Sequence, residues 1–221
     1  MIFLKKKNNL HSKFRIARFF SNEELKKFAC LFHGRIINIS AWNDEDKEGK
    51  HYKDYFVNCS EYIISNYESD KKGIIGLDNE IFLDLEKNLP KKMYGTFDVC
   101  FNHTTLEHIY DVHKAFKNIC LLSKDVVIVV VPYIQQLHGI GYSDYWRFTP
   151  YTMKRMFNDN GLQLRYCSAN GKDKASIYLF CIGYRNKKWD NIIPERFDIK
   201  LDLNKEIYAD DYNNVIGGNV V

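Results

Sequence analysis

No apolar run in this sequence reaches the roughly 18–20 residues that a membrane-spanning helix requires. None of its six cysteines forms a C-x-x-C pair, so the usual signature of a zinc or dithiol site is missing. Cys30, Cys59, Cys100, Cys120, Cys167 and Cys181 read instead as small hydrophobes in a reducing cytoplasm. Charge of one sign is also scarce. The excess is +4 over 221 residues and, apart from Lys5–Lys7, the basic residues are scattered, which argues against a nucleic-acid partner. The short lysine run leaves peripheral contact with an anionic surface open. The opening MIFLKKKNNL puts apolar residues before charged ones, the reverse of a secretory signal. Internal repeats and low-complexity tracts are absent. What remains is a globular composition, 45% hydrophobic, long enough for one domain with a modest extension. Nothing in it fixes the oligomeric state, and a homodimer stays open.

The elements follow from periodicity and from capping residues. Ser21 with Glu24 looks like a capping box and predicts a helix over residues 22–32, closed by Gly34. Short apolar runs predict strands at 35–40, 61–65, 97–101 and 126–131. Another lies at 81–85, or the chain turns there after a strand at 74–77. Residues 42–55 read as a loop or irregular helix. Val112, Ala115, Phe116 and Ile119 give 111–122 a helical stripe. Pro150 suits the first turn of a helix through Asn158, stopped by Gly161. Residues 162–168 and 176–184 alternate like an antiparallel pair at a sheet edge. Strands alternating with helices indicate an α/β protein with a mainly parallel sheet. The division is a 1–33 arm and helix, a 34–185 domain and a 186–221 extension.

Residues 97–150 hold most of the functional signal. A strand runs into Asn102, His103, Glu107 and His108; a second strand leads to a loop with His138, Tyr142, Asp144, Tyr145, Trp146 and Arg147. Polar strand ends are where open α/β sheets bind ligands. His138 backed by Asp144 is a competent proton acceptor near neutral pH. Tyr145, Trp146 and Arg147 suit a sugar or nucleotide platform, although Trp146 and Phe148 equally suit packing of the loop and Arg147 pairing with an internal carboxylate. The histidine spacing matches no established metal pattern, so no metal is expected.

FDVCFNHTTLEHIYD, a helix, VVIVVVP and H-x5-DYWRFTP together resemble class I S-adenosylmethionine-dependent methyltransferases, most closely bacterial members associated with surface polysaccharides. The resemblance covers residues 34–185. It implies a Rossmann-like class I methyltransferase fold: a seven-stranded sheet, helices on both faces and an antiparallel edge strand. It also implies S-adenosylmethionine as cofactor and a small sugar-like acceptor carrying a hydroxyl, or otherwise an amine or phosphate oxygen. By the same resemblance Asn38, Ser40 and Trp42 lie along the methionine part, in a loop where relatives carry glycines. Asn66, with Glu68 in reserve, takes the ribose hydroxyls. Asp84 and Leu85 meet the adenine, and Asn102 and His103 border the methyl-donor end. His138, Asp144 and His103 are then the catalytic candidates, and Glu107, His108, Tyr145, Trp146 and Arg147 the substrate-side ones. Side chains at 40 and 42 and an amide at 66 also admit a non-catalytic binding or scaffolding protein.

Overall fold

The computed structural model describes residues 16–67, 73–135, 137–138, 143–170 and 178–198. Helix α1 (Ile16–Ala29) precedes β1 (Gly34–Ile39), β2 (Cys59–Asn66), β3 (Glu80–Phe82) and β4 (Phe97–His103). Helix α2 (Val112–Leu122), β5 (Ser123–Pro132), α3 (Pro150–Asp159), β6 (Gln163–Ala169), β7 (Tyr178–Tyr184) and β8 (Arg196–Phe197) follow. The strands form one sheet in the order β3-β2-β1-β4-β5-β7-β6-β8. The pairs from β3 to β5 are parallel, and β7 runs antiparallel to both β5 and β6.

Each strand alternates its side chains between two cores. Ile37, Cys100, Val127 and Val129 face α2 and α3, while Ile36, Phe101, Ile128 and Ile182 face α1. Period-two alternation puts apolar residues on both faces of a sheet covered on both sides. Helix α2 is capped by Asp111, whose side chain accepts from Lys114 N; α3 is capped by Thr149, with Pro150 in its first turn. No helix among the described residues is long and apolar enough to cross a membrane.

Four expectations change. The predicted helix over 22–32 instead runs Ile16–Ala29, straight through Ser21. The Ser21 hydroxyl donates back to Arg18 O within the helix, and Glu24 accepts from the Tyr166 hydroxyl across the fold, so the apparent capping box is one local and one tertiary contact. Gly34 opens β1 with φ +84, where a Cβ would strike Asp98, instead of closing the helix. Residues 74–77 form no strand. The sheet has eight strands, not seven, because β8 pairs in parallel with β6. Trp189, just before β8, packs on Phe32 and donates to Asp125 Oδ2 at 2.8 Å. Residues 1–15, 176–177 and 199–221 of the predicted arm, final strand and extension lie outside the described residues.

Gly183 of β7 lies beneath the Phe157 ring of α3, and a Cβ at that position would run into the ring. Gly183→Ala is therefore expected to destabilise the fold by about 1–3 kcal/mol, the usual cost of overpacking. Urea denaturation should show a lower midpoint at an unchanged slope.

Candidate functional site

The strand order reverses between β1 and β4. A cleft of about 370 Å³ opens at their carboxyl ends, within the roughly 300–1,000 Å³ of small-molecule sites. The loop after β1 forms one side, α1 and Tyr52 the back, and the segment after β4 with His138 the other side.

The loop after β1 has the backbone of a glycine-rich turn without the glycines. Ser40, Trp42, Asp44 and Lys47 have φ of 59, 51, 64 and 66, and Thr104 after β4 has 48. Each costs on the order of 1 kcal/mol or more in an L-residue. Buried side chains hold the loop in place. Asn66 Oδ1 accepts from Trp42 N at 2.6 Å, while its Nδ2 donates to Trp42 O at 3.0 Å and to Glu80 Oε1 at 2.5 Å. Asp44 accepts from Asn38 Nδ2, the Tyr62 hydroxyl and Lys53 N. Burial pushes the Asp44 pKa up, against those donors. Asn66, expected to meet ribose, thus spends its amide on the loop. Asn38 does so as well, although both residues border the cleft. Glu68 lies outside the described residues.

Asn102 and the adenine-side pair also differ from expectation. Asn102 is fully buried and donates to Ile39 O at 2.9 Å, tying β4 to β1. Asp84 accepts from Glu86 N at 2.8 Å and Leu85 packs in the core; none of the three lines the cleft. His103 does line it. Arg18 Nη1 lies 2.6 Å from its Nδ1, and the Ser21 hydroxyl 2.8 Å from its Nε2. Burial, reinforced by the Arg18 charge, holds the imidazole well below its ordinary pKa and therefore neutral. Held between Arg18 and Ser21, the ring forms part of the cleft wall. Arg18 itself has no sequence signal. Its guanidinium contacts Tyr52, His103 and Thr104, and no carboxylate among the described residues.

On the opposite wall, Glu107 is fully buried and neither carboxylate oxygen accepts a hydrogen bond. Burial pushes its pKa up to about 8. His108 Nδ1 lies 2.6 Å from Ser143 O, and its Nε2 lies 3.7 Å from Glu107 Oε1. His138 Nδ1 is 3.0 Å from Asp144 Oδ2, close but out of hydrogen-bonding line. Asp144 is gripped by both Arg147 nitrogens, at 2.5 and 2.7 Å, and by His138 N at 2.7 Å. Burial alone would raise the Asp144 pKa; the Arg147 fork and the backbone donor outweigh it and hold the group at about 2. The predicted recognition platform is mostly scaffolding. Arg147 also donates to Gln135 O, Trp146 Nε1 donates to Ile109 O, and Tyr145 stacks edge-on with Tyr110. None of these three lines the cleft. Tyr142 lies outside the described residues.

Asn66 makes two hydrogen bonds to the half-buried Trp42 backbone, and truncation removes both. Asn66→Ala is expected to cost about 2–3 kcal/mol and to speed amide exchange at Trp42, read by denaturation and by hydrogen exchange. The Asp144 pKa is lower folded than unfolded. Its stabilisation is complete above the unfolded value of about 3.9 and is lost as pH falls through about 2. Faster exchange of the Trp146 indole N–H across that window is the expected readout.

No family model matches the sequence, and the comparison with curated proteins finds no match. Solved structures do match in shape. A chain from the complex of the Haloferax volcanii Trm112 methyltransferase activator with a methyltransferase superimposes with TM-score 0.55 at 12% identity, covering 81% of this chain and 92% of that one. A SAM-dependent methyltransferase from Aquifex aeolicus gives 0.54 at 12% identity, over 78% and 93%. Magnesium protoporphyrin IX methyltransferase from Synechocystis PCC 6803, with bound SAH, gives 0.52 at 8%, over 80% and 87%. At these identities the likeness is one of fold, and the fold of this chain is the Rossmann-like one that those methyltransferases share.

Proposed function

We propose that the chain is an S-adenosylmethionine-dependent methyltransferase acting on a hydroxyl of a small polar acceptor, a nucleotide- or lipid-linked sugar of surface-polysaccharide synthesis in the cytoplasm. The observation that carries this reading is the position of the cleft. On a fold shared with methyltransferases, it opens where β1 and β4 end.

The residues present fit the cofactor. Arg18 brings a charged fork that hydrogen-bonds no carboxylate among the described residues, which suits the methionine carboxylate. Trp42, with Lys47 over its ring, and Tyr67, packed on Phe82, line the same side and supply aromatic edge and surface near a purine. S-adenosylmethionine supplies an electrophilic methyl group on a sulfonium. The chain's own residues must align the acceptor, exclude water and accept the hydroxyl proton. His138 is the group for that proton, with Asp144 3.0 Å from its ring, while Glu107, held protonated by burial, lines the same wall. The choice of a sugar rests on family analogy and on the polar acceptor wall.

A second reading, a methyltransferase fold kept for binding or scaffolding, is favoured by Ser40 and Trp42. Their side chains border the cleft where glycines are expected.

Calorimetry with S-adenosylhomocysteine separates the two readings. The enzyme reading expects saturable binding in the micromolar range, weakened tenfold or more by Arg18→Met. Asp84→Ala, outside the cleft, is expected to stay within twofold. No binding up to about 1 mM would overturn the enzyme reading.

A further inference from the structure

One donor atom from each of Glu107, His108 and His138 lies within 4.8 Å of the others. The three stand on the acceptor wall of the cleft. They come from two segments that the sequence separates by thirty residues, and that the fold joins because β4 and β5 are parallel neighbours. The join is tight: Tyr145 N donates to Glu107 O at 2.7 Å.

The hydrogen bonds around the three groups are informative. Ser143 O can only accept, so His108 Nδ1 carries the hydrogen at 2.6 Å from it. In the neutral ring, Nε2 then presents its lone pair, and it faces Glu107 Oε1 at 3.7 Å. Two acceptors facing each other repel unless a proton or a cation lies between them. The Glu107 carboxylate is fully buried with both oxygens unaccepting, an arrangement that costs free energy until such a partner arrives. The 3.7 Å separation is near the roughly 3.4 Å between two ligands of a tetrahedral ion at about 2.1 Å from each. His138 completes the set, with its ring set at 73° to His108 and centroids 5.2 Å apart.

The next layer of residues is also that of a metal site. Ligand histidines characteristically give their second nitrogen to a carbonyl or a carboxylate. His108 gives Nδ1 to Ser143 O, and Asp144, fixed by Arg147, stands 3.0 Å from His138 Nδ1 without a hydrogen bond between them.

We propose that Glu107, His108 and His138 bind a divalent first-row transition ion, of the Zn²⁺ or Co²⁺ type, on the acceptor side of the cleft. Two imidazoles with one carboxylate favour such ions over Mg²⁺ and Ca²⁺, which prefer oxygen donors throughout. Three protein ligands leave further positions turned to the cleft for water or an oxygen of the bound molecule. On the methyltransferase reading, and resting on it, that oxygen is the acceptor's.

The test uses the full chain stripped with a chelator and titrated with Co²⁺ in the absence of any cofactor. The expected result is one equivalent per chain, a visible d–d absorption band, displacement by Zn²⁺ and indifference to millimolar Mg²⁺. Glu107→Gln and His138→Ala are each expected to weaken Co²⁺ binding by tenfold or more. Glu107→Gln should also leave the metal-free melting temperature unchanged or higher, since it removes a buried carboxylate. If one variant fails to fold, the other decides. No Co²⁺ uptake by the wild-type chain, as a shared proton would predict, overturns the proposal. Uptake that survives both substitutions overturns it too. Metal binding without S-adenosylhomocysteine binding would sink the methyltransferase reading and leave the metal site standing; the converse result would do the opposite.

Discussion

β1 and β4 lie side by side and parallel, but the chain leaves β1 toward β2 on one side and β4 toward β5 on the other. No single crossover covers both carboxyl ends, so a crevice must remain there. Every feature of the site depends on that reversal. It sets the loop after β1 opposite the segment after β4, and it lets α1 close the back. It also brings the β5 loop against Glu107 from the far side.

The loop after β1 shows how a fold can keep a backbone path while changing the residues that usually make it easy. Ser40 and Trp42 hold left-handed conformations that glycine would adopt freely. The compensation comes from side chains elsewhere, with Asn66 bracketing the Trp42 peptide and Asp44 collecting three donors. Polar residues that elsewhere would meet a ligand are here part of the frame. The cleft gains an indole and a hydroxyl on its wall and loses two amides from its ligand-facing set.

Much of this was legible in the sequence. β4, β5, α2 and α3 followed from short apolar runs, a helical stripe, Pro150 and Gly161, because those signals act within a few residues of one another. Of the titratable groups after β4 and β5, His103, Glu107, His108 and His138 line the cleft, while Asp144 and Arg147 stand behind it. The start of α1 was not legible, since Ser21 and Glu24 imitate a cap while bonding Arg18 O and Tyr166. Roles were harder than places. Whether Asn102 faces a ligand or Ile39 O, and whether Arg147 reads a phosphate or holds Asp144, depends on partners brought in by tertiary structure. Arg18 meets His103 across 85 positions, beyond any local pattern.

Helix α1 stands outside the strand-to-strand wiring, yet it carries Arg18 to the cleft and Ser21 to the buried side of His103. It rests on the sheet through Leu25, Phe28 and Ala29, a separate set of residues from the two that reach His103. The helix is thus a modular part. Its apolar stripe answers to the sheet, and its polar tip answers to whatever occupies the crevice. Exchanging Arg18 would change the charge at the back of the cleft without altering a strand pairing, whereas Asn22, which bonds Asp46 O and Glu48, ties the same helix to the loop after β1.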